Sequence, residues 1–230
     1  MNTYMAMWDK VADKYKGEYG PYIESYKAKT GMREITFIGR AGEGVWTAGD
    51  LLCEAMSGRG KYCRINYIMP GDRGNVLTRS YLTYANEPIS FPVCWIHSAD
   101  DMLVFEEELL TLDSLVFGVD ISVMTGWMNP QGFCVVNSPK RPNEIRGNIT
   151  GKPVTVDATR ISHECFGHPF FLNIPVIGAY LATRKDILTI EEMETAMKNF
   201  INPRGHKLFD GERGEQNIKA LRAGYKSVRF

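Results

Sequence analysis

Apolar and polar positions follow two different rhythms along this chain, and the change of rhythm divides it. In residues 1–31, Met5, Trp8, Val11 and Tyr15 fall at helical spacing and predict a short amphipathic helix. Gly20-Pro21 breaks it, a second short helix runs over 22–29, and Thr30-Gly31 is a stop signal. From Glu34 onward short apolar runs alternate with amphipathic stretches. The runs at 35–38, 63–68, 114–119, Phe133–Asn137 and 154–157 predict strands, and Leu77–Ala85 alternates like a half-exposed strand. Helical periodicity predicts helices over 46–56, 100–112, 161–166, 174–182, Ile190–Asn199 and 212–226. In the last of these, Ile218, Leu221 and Tyr225 share one face.

Strands separated by helices predict an α/β fold, a three-layer α/β/α arrangement with a mostly parallel or mixed sheet. A hairpin-like piece around 91–96 favours the mixed form. The polar, proline-containing stretch 137–151 reads as a long surface loop or a hairpin insertion, not a domain linker. The predicted organisation is an N-terminal helical arm, 1–32, that docks on a partner, and one α/β domain over 33–230. The arm is too small to hold a core, and its Tyr4, Met5, Met7, Trp8, Tyr15, Tyr19, Tyr22 and Tyr26 suit an interface.

Composition narrows the functional classes. Hydrophobic residues at 44% and charged residues at 23% suit a soluble globular protein. Lys+Arg and Asp+Glu are both 27, which argues against a nucleic-acid binder that relies on general phosphate attraction. No apolar run approaches the roughly 18 residues of a membrane span, and residues 1–10 lack the apolar core of a secretory signal, so a cytoplasmic location is expected. The five cysteines, Cys53, Cys63, Cys94, Cys134 and Cys165, are scattered and include no C-x-x-C. They are expected to be reduced thiols, and no metal site is expected on this chain.

The richest local signal is the apolar strand 35–38 running into Gly39-Arg40-Ala41-Gly42-Glu43-Gly44 and then a helix start. Glycines allow a sharp turn and close backbone approach, and the following helix offers free N–H groups and a positive dipole end. The spacing G-x-x-G-x-G is neither a dinucleotide fingerprint nor a P-loop, so a plain strand-to-helix turn stays open. Arg40 suits a phosphate, whereas Glu43 repels one unless it turns away or meets a cation. In Pro70-Gly71-Asp72-Arg73-Gly74-Asn75, Arg73 either reaches a cleft or pairs with Asp72 in an ordinary turn. Asp157 ends a strand where α/β crevices form, and it also sits at a helix N-cap position. His163 and His168 bracket Cys165, but Gly167 and Pro169 interrupt the helix and no oxyanion donor is evident. His97 and His206 are isolated, and Asp100, Asp101 and Glu106 to Glu108 read as a solvated acidic helix face.

Several of these segments, in order, resemble the gamma subunits of 2-oxoacid:ferredoxin oxidoreductases, the family that includes pyruvate synthase. Gly39-Arg40-Ala41-Gly42-Glu43-Gly44-Val45 is similar to the family's G-R-G-G-Q-G-V loop, and Asp72-Arg73-Gly74-Asn75-Val76 to its E-x-R-G-G segment. Ile89 with Ser98-Ala99-Asp100 resembles its P-I and A-D-x-L-V-A stretch. Val156-Asp157-Ala158-Thr159, Asn173-Ile174 and Ile177-Gly178-Ala179 resemble V-D-A-T, N and L-G-A, and Asn217 with Gly224-Tyr225 resembles the closing helix.

The resemblance spans residues 33–226 and implies an accessory subunit with no catalytic residues of its own. Partner subunits of alpha, beta and delta type would carry thiamine diphosphate, Mg and 4Fe–4S clusters. Together they would decarboxylate a 2-oxoacid oxidatively, pass the acyl group to coenzyme A and send electrons to ferredoxin. The resemblance also implies that Gly39, Arg40, Gly42, Glu43, Gly44 and Arg73 form the cofactor-binding set, near the coenzyme A phosphates. Ala41 stands for a glycine of the family loop and Glu43 for a neutral glutamine. A charge there would cost on the order of 1 kcal/mol against a pyrophosphate. Two other readings stay open: a free-standing coenzyme A- or nucleotide-binding enzyme using Cys165, and a purely structural interaction module.

Overall fold

The computed structural model describes residues 14, 17, 18, 20–68, 76–90, 99–111, 128–201, 207 and 209–230. The predicted helix around 5–15, the strand at 114–119, the hairpin at 91–96 and the Arg73 turn fall wholly or mostly outside that set, as do Cys94, His97 and His206.

Among the described residues, six strands form one sheet. They are β1 (Arg33–Arg40), β2 (Tyr62–Ile68), β3 (Leu77–Ala85), β4 (Asp101–Val104), β5 (Phe133–Asn137) and β6 (Lys152–Val156), in the order β2-β3-β1-β4-β5-β6. β2, β3 and β1 pair antiparallel, with Ile35 opposite Leu82. β1, β4, β5 and β6 run parallel, with Phe37 beside Leu103 and Val135 beside Val154. The sheet is therefore mixed. The carboxyl ends of its parallel half lie at Arg40, Val104, Asn137 and Val156, and ligand crevices form at such ends.

Alternation along β1 sends Ile35 and Phe37 to one face and Ile38 to the other. The first face carries α2 (Val45–Gly58), α3 (Ala158–Phe166), α4 (Asn173–Thr183), α5 (Ile190–Asn199) and α6 (Gly211–Ser227). The second core joins Ile38, Met102, Val104, Cys134 and Val136 to Leu109, Leu110 and Met128. The 137–151 loop is largely exposed, but its Ile145 and Ile149 fold down on this core.

α4 is buried almost along its whole length. It crosses α6 where glycines face each other's backbone. A Cβ added at Gly178 would lie 2.1 Å from the Leu221 carbonyl oxygen, and one at Gly224 would lie 2.1 Å from that of Pro175. These glycines are present because the two backbones touch.

Two expectations need correction. Residues 100–112 are not a helix with an acidic solvated face. Asp101–Val104 is the central strand β4, and only Glu107–Thr111 turns, as a 3-10 segment. Met102 to Phe105 is an uninterrupted apolar run because a parallel strand covered on both sides has no polar face. Asp100 and Asp101 are buried, not solvated. Likewise β3 is buried at every position, not half exposed. Two of its polar side chains are bonded inside: Thr78 accepts from Trp46 Nε1 at 3.0 Å, and Ser80 donates to the Val45 carbonyl at 3.2 Å.

At the amino end of the sheet, α1 (Gly20–Thr30) is anchored by Lys27, which reaches Glu34 at 3.0 Å and Asp100 at 3.1 Å. Burial pushes the Glu34 carboxyl up to about 7, although Lys27 pulls it back. Beside this anchor, Asp101 receives Arg184 at 2.7 and 2.9 Å, the Tyr180 hydroxyl at 3.0 Å and the Phe133 N–H at 2.8 Å. The guanidinium of Arg184 also lies over the Phe133 ring.

Candidate functional site

The glycine loop leaves β1 at the carboxyl end of the sheet. Gly39 is a packing residue, since a Cβ there would lie 2.7 Å from both the Glu43 carboxylate and Val45, and 2.9 Å from Phe105. Gly42 (φ +104°) and Gly44 (φ +79°) take backbone conformations that L side chains rarely adopt, and they make the turn. Ala41 N–H donates to the Val76 carbonyl at 2.8 Å, tying the loop to the start of β3.

The loop's two charged residues are both engaged. Arg40 Nε donates to Glu106 at 2.6 Å, so its guanidinium is held in an ion pair after β4. The Glu43 carboxylate curls back to accept the Arg40 N–H at 2.6 Å. Burial first, and then a hydrogen bond with the Glu106 carboxyl, push Glu43 up to about 8. At neutral pH Glu43 therefore keeps its proton and mimics the neutral glutamine of the resembling loop. The repulsion anticipated from the sequence is removed by protonation rather than by a cation.

The sign of the resulting pH dependence follows from linkage. Glu43 holds its proton more tightly folded than unfolded, so its contribution to stability is complete at low pH and is lost as pH rises toward about 8. Glu43→Gln has no proton to lose. We expect its melting temperature to exceed that of the wild type by a margin that grows between pH 5 and pH 8, on the order of those values, and then levels. A margin that shrinks with pH in thermal melts would refute the protonated Glu43.

Gly42, Glu43 and Gly44 line a cavity of about 230 Å³ together with Thr47 on the first turn of α2. The junction of α3 and α4 forms its second wall. Asp157 caps α3 by accepting the Arg160 N–H at 3.0 Å, the role its position suggested. Gly167 (φ +78°) ends α3, and Ser162 Oγ donates to the His168 carbonyl at 2.9 Å while accepting the Phe171 N–H at 3.0 Å. These two hydrogen bonds at one hydroxyl hold the bend that delivers Phe170, Phe171 and Asn173 to the cavity. The third wall is Phe209, Arg213 and Asn217 at the start of α6.

Of the six residues expected at the site, Gly42, Glu43 and Gly44 line the cavity. Gly39 and Arg40 do not, and Arg73 lies outside the described residues. Sequence reasoning missed Arg213, the one cation among the described lining residues. Asn173 and Asn217 stood in the matching motifs, but their convergence is visible only in the fold. Cys165 makes no hydrogen bond to His163 or His168, and burial pushes its thiol up, opposite to an activated nucleophile. Among the described residues no group of three or more His, Cys, Asp or Glu lies together as a metal site, and no helix is long and apolar enough to cross a membrane.

The sequence profile of the family described as pyruvate ferredoxin/flavodoxin oxidoreductase matches residues 34–227. The chain is 30% identical over 200 residues to the pyruvate/ketoisovalerate oxidoreductases common subunit gamma of Pyrococcus furiosus, covering 86% of this chain and 97% of that one. It is 26% identical over 197 residues to the pyruvate synthase subunit PorC of Methanocaldococcus jannaschii, with the same coverage of 86% and 97%. Among solved structures, pyruvate oxidoreductase subunit PORC from Thermotoga maritima aligns with a TM-score of 0.66 at 26% identity, over 86% of this chain and 97% of that chain.

Proposed function

The chain belongs to the pyruvate ferredoxin/flavodoxin oxidoreductase family, and from that membership we propose that it is the gamma subunit of a multisubunit 2-oxoacid:ferredoxin oxidoreductase. The observation that carries this reading is the match to relatives named as a subunit gamma and as pyruvate synthase subunit PorC, 97% of whose length is covered by 86% of this chain. The thiol-based acyltransferase reading has no activated nucleophile to rest on.

In this reading the partner subunits, of alpha, beta and delta type, hold thiamine diphosphate, Mg and the 4Fe–4S clusters, and electrons leave to ferredoxin. When bound there, those groups supply decarboxylation and electron transfer. This chain's residues shape the approach of coenzyme A. The Gly42–Gly44 turn and the open end of α2 face that approach, while Arg40 and Glu106 hold the loop in shape. The domain over 33–230 packs on the catalytic subunits in the cytoplasm. The arm over 1–32 adds interface, consistent with the outward Tyr22, which is 61% exposed.

The test is activity of the assembled enzyme. With a 2-oxoacid and coenzyme A, reduction of a viologen dye is expected from the complex that contains this chain, and a strong loss from the complex lacking it. Equal activity with and without the chain would remove the proposal.

A further inference from the structure

β2 lies at one end of the described strand order, and α2 runs alongside it in the opposite direction. Their side chains meet in register. The Tyr67 hydroxyl donates to Asp50, and its ring lies 4.9 Å from that of Trp46. A Cβ at Gly49 would stand 2.3 Å from Ile65 Cδ1, so the helix sits directly on the strand. A step of four residues along a helix, about 6 Å, matches a step of two along a strand, about 6.6 Å. That step carries Gly49 to Cys53 and Ile65 to Cys63. The two thiols accordingly meet and share a hydrogen bond, and Ser57, one turn on, bonds to both. Both cysteines are half-buried, so a small solute can reach them.

The two thiols are not equivalent. The bond from Cys53 holds the Cys63 thiol below its ordinary value against burial, and Ser57 and the Lys61 charge help. Cys53 is pushed up, first by that same bond and then by burial, so it keeps its proton and donates. Elsewhere, burial pushes both the Cys165 and the Cys134 thiols up, and Cys134 is fully buried. A nucleophilic sulfur beside a protonated one is the arrangement of an attacking and a resolving thiol.

We propose that Cys63 and Cys53 form a reversible peroxide-oxidation site that closes to a disulfide between β2 and α2. The Cys63 thiolate attacks one oxygen of hydrogen peroxide. An S–O bond forms, the O–O bond breaks, and the departing hydroxide takes up a proton to become water. The Cys53 sulfur then attacks the Cys63 sulfenic sulfur. The S–S bond forms, the S–O bond breaks, and a second water leaves with the Cys53 proton. The two thiols supply the two electrons that reduce the peroxide. The resolving thiol spares Cys63 from irreversible oxidation, and the bond pins the later half of α2 to the sheet.

The purified full chain tests this. After treatment with hydrogen peroxide and digestion without reduction, mass spectrometry should find one peptide joined to another through Cys53 and Cys63, and dithiothreitol should separate them. Peptide mapping keeps this pair distinct from Cys94, Cys134 and Cys165, and Cys63 should be consumed several-fold faster than Cys165. In Cys53→Ser, dimedone should trap a sulfenic acid at Cys63, and excess peroxide should drive it to a sulfinic acid that dithiothreitol does not reverse. Cys63→Ser should leave Cys53 unlabelled. Melting temperatures check that both variants fold, and the wild-type mapping needs neither. A wild-type chain in which peroxide joins no Cys53–Cys63 pair overturns the site. Dimedone labelling of Cys53 in Cys63→Ser, with none at Cys63 in Cys53→Ser, overturns the assigned order of attack. Neither result bears on the gamma-subunit reading.

Discussion

Gly224→Ala is expected to destabilise the chain by about 3 kcal/mol or more, the upper part of the range for overpacking. The added methyl would sit 2.1 Å from the Pro175 carbonyl oxygen and 2.7 Å from that residue's Cα and carbonyl carbon. All three atoms are backbone, so no side chain can rotate away. α6 must move off α4, and α4 is part of the main core through Ile174, Val176, Ile177 and Leu181. For a chain of this size the loss corresponds to a melting temperature lower by about 10 °C. Gly58→Ala is the matched control. Nothing lies within 4 Å of a Cβ at Gly58, at the exposed end of α2, so the same change should be neutral or gain up to about 1 kcal/mol. Thermal denaturation of both variants decides the matter, and equal melting temperatures would refute direct helix contact.

Asp101→Ala should be as damaging for a different reason. The carboxylate is 1% exposed and receives Arg184, Tyr180 and the Phe133 N–H. Removing it leaves a largely buried guanidinium and a fully buried hydroxyl without their acceptor. Such half-pairs typically cost about 3–5 kcal/mol. Much of that is the stranded charge, so the double variant Asp101→Ala with Arg184→Met should recover part of the loss. Chemical denaturation of the two variants makes the comparison. A double variant less stable than Asp101→Ala alone would show that the pair is not coupled in this way. The lock joins the start of β4 to the end of α4, at the end of the sheet opposite the cavity. Loss of stability should therefore precede any effect on ligand binding.

Elements with local signatures could be read directly from the chain. The helix Ile190–Asn199 is set by a capping box in which Thr189 and Glu192 exchange bonds of 3.2 and 2.7 Å, and its apolar spacing is regular. β1 and the turn into α2 were equally plain, because an apolar run followed by clustered glycines has few other outcomes. The expectation of a helix over 100–112 fails because its acids resemble a solvated face. Asp101 is instead buried against Arg184, a partner far along the chain that no local pattern announces. The site divides the same way. Gly42, Glu43 and Gly44 were legible as a loop, but Arg213 arrives only when α6 folds beside α4, and the fate of Arg40 depends on Glu106 after β4. Charge sign alone also misled: Glu43 looked repulsive, yet burial beside a second carboxyl keeps it neutral.

The proposed function puts this chain inside a thiamine- and iron–sulfur-dependent complex. Anoxic affinity isolation of the chain from its native cells, with mass spectrometry and assays of iron and thiamine, tests it most directly. The account predicts recovery with larger subunits that carry both thiamine diphosphate and iron–sulfur clusters. Recovery of the chain alone, free of both, would contradict it.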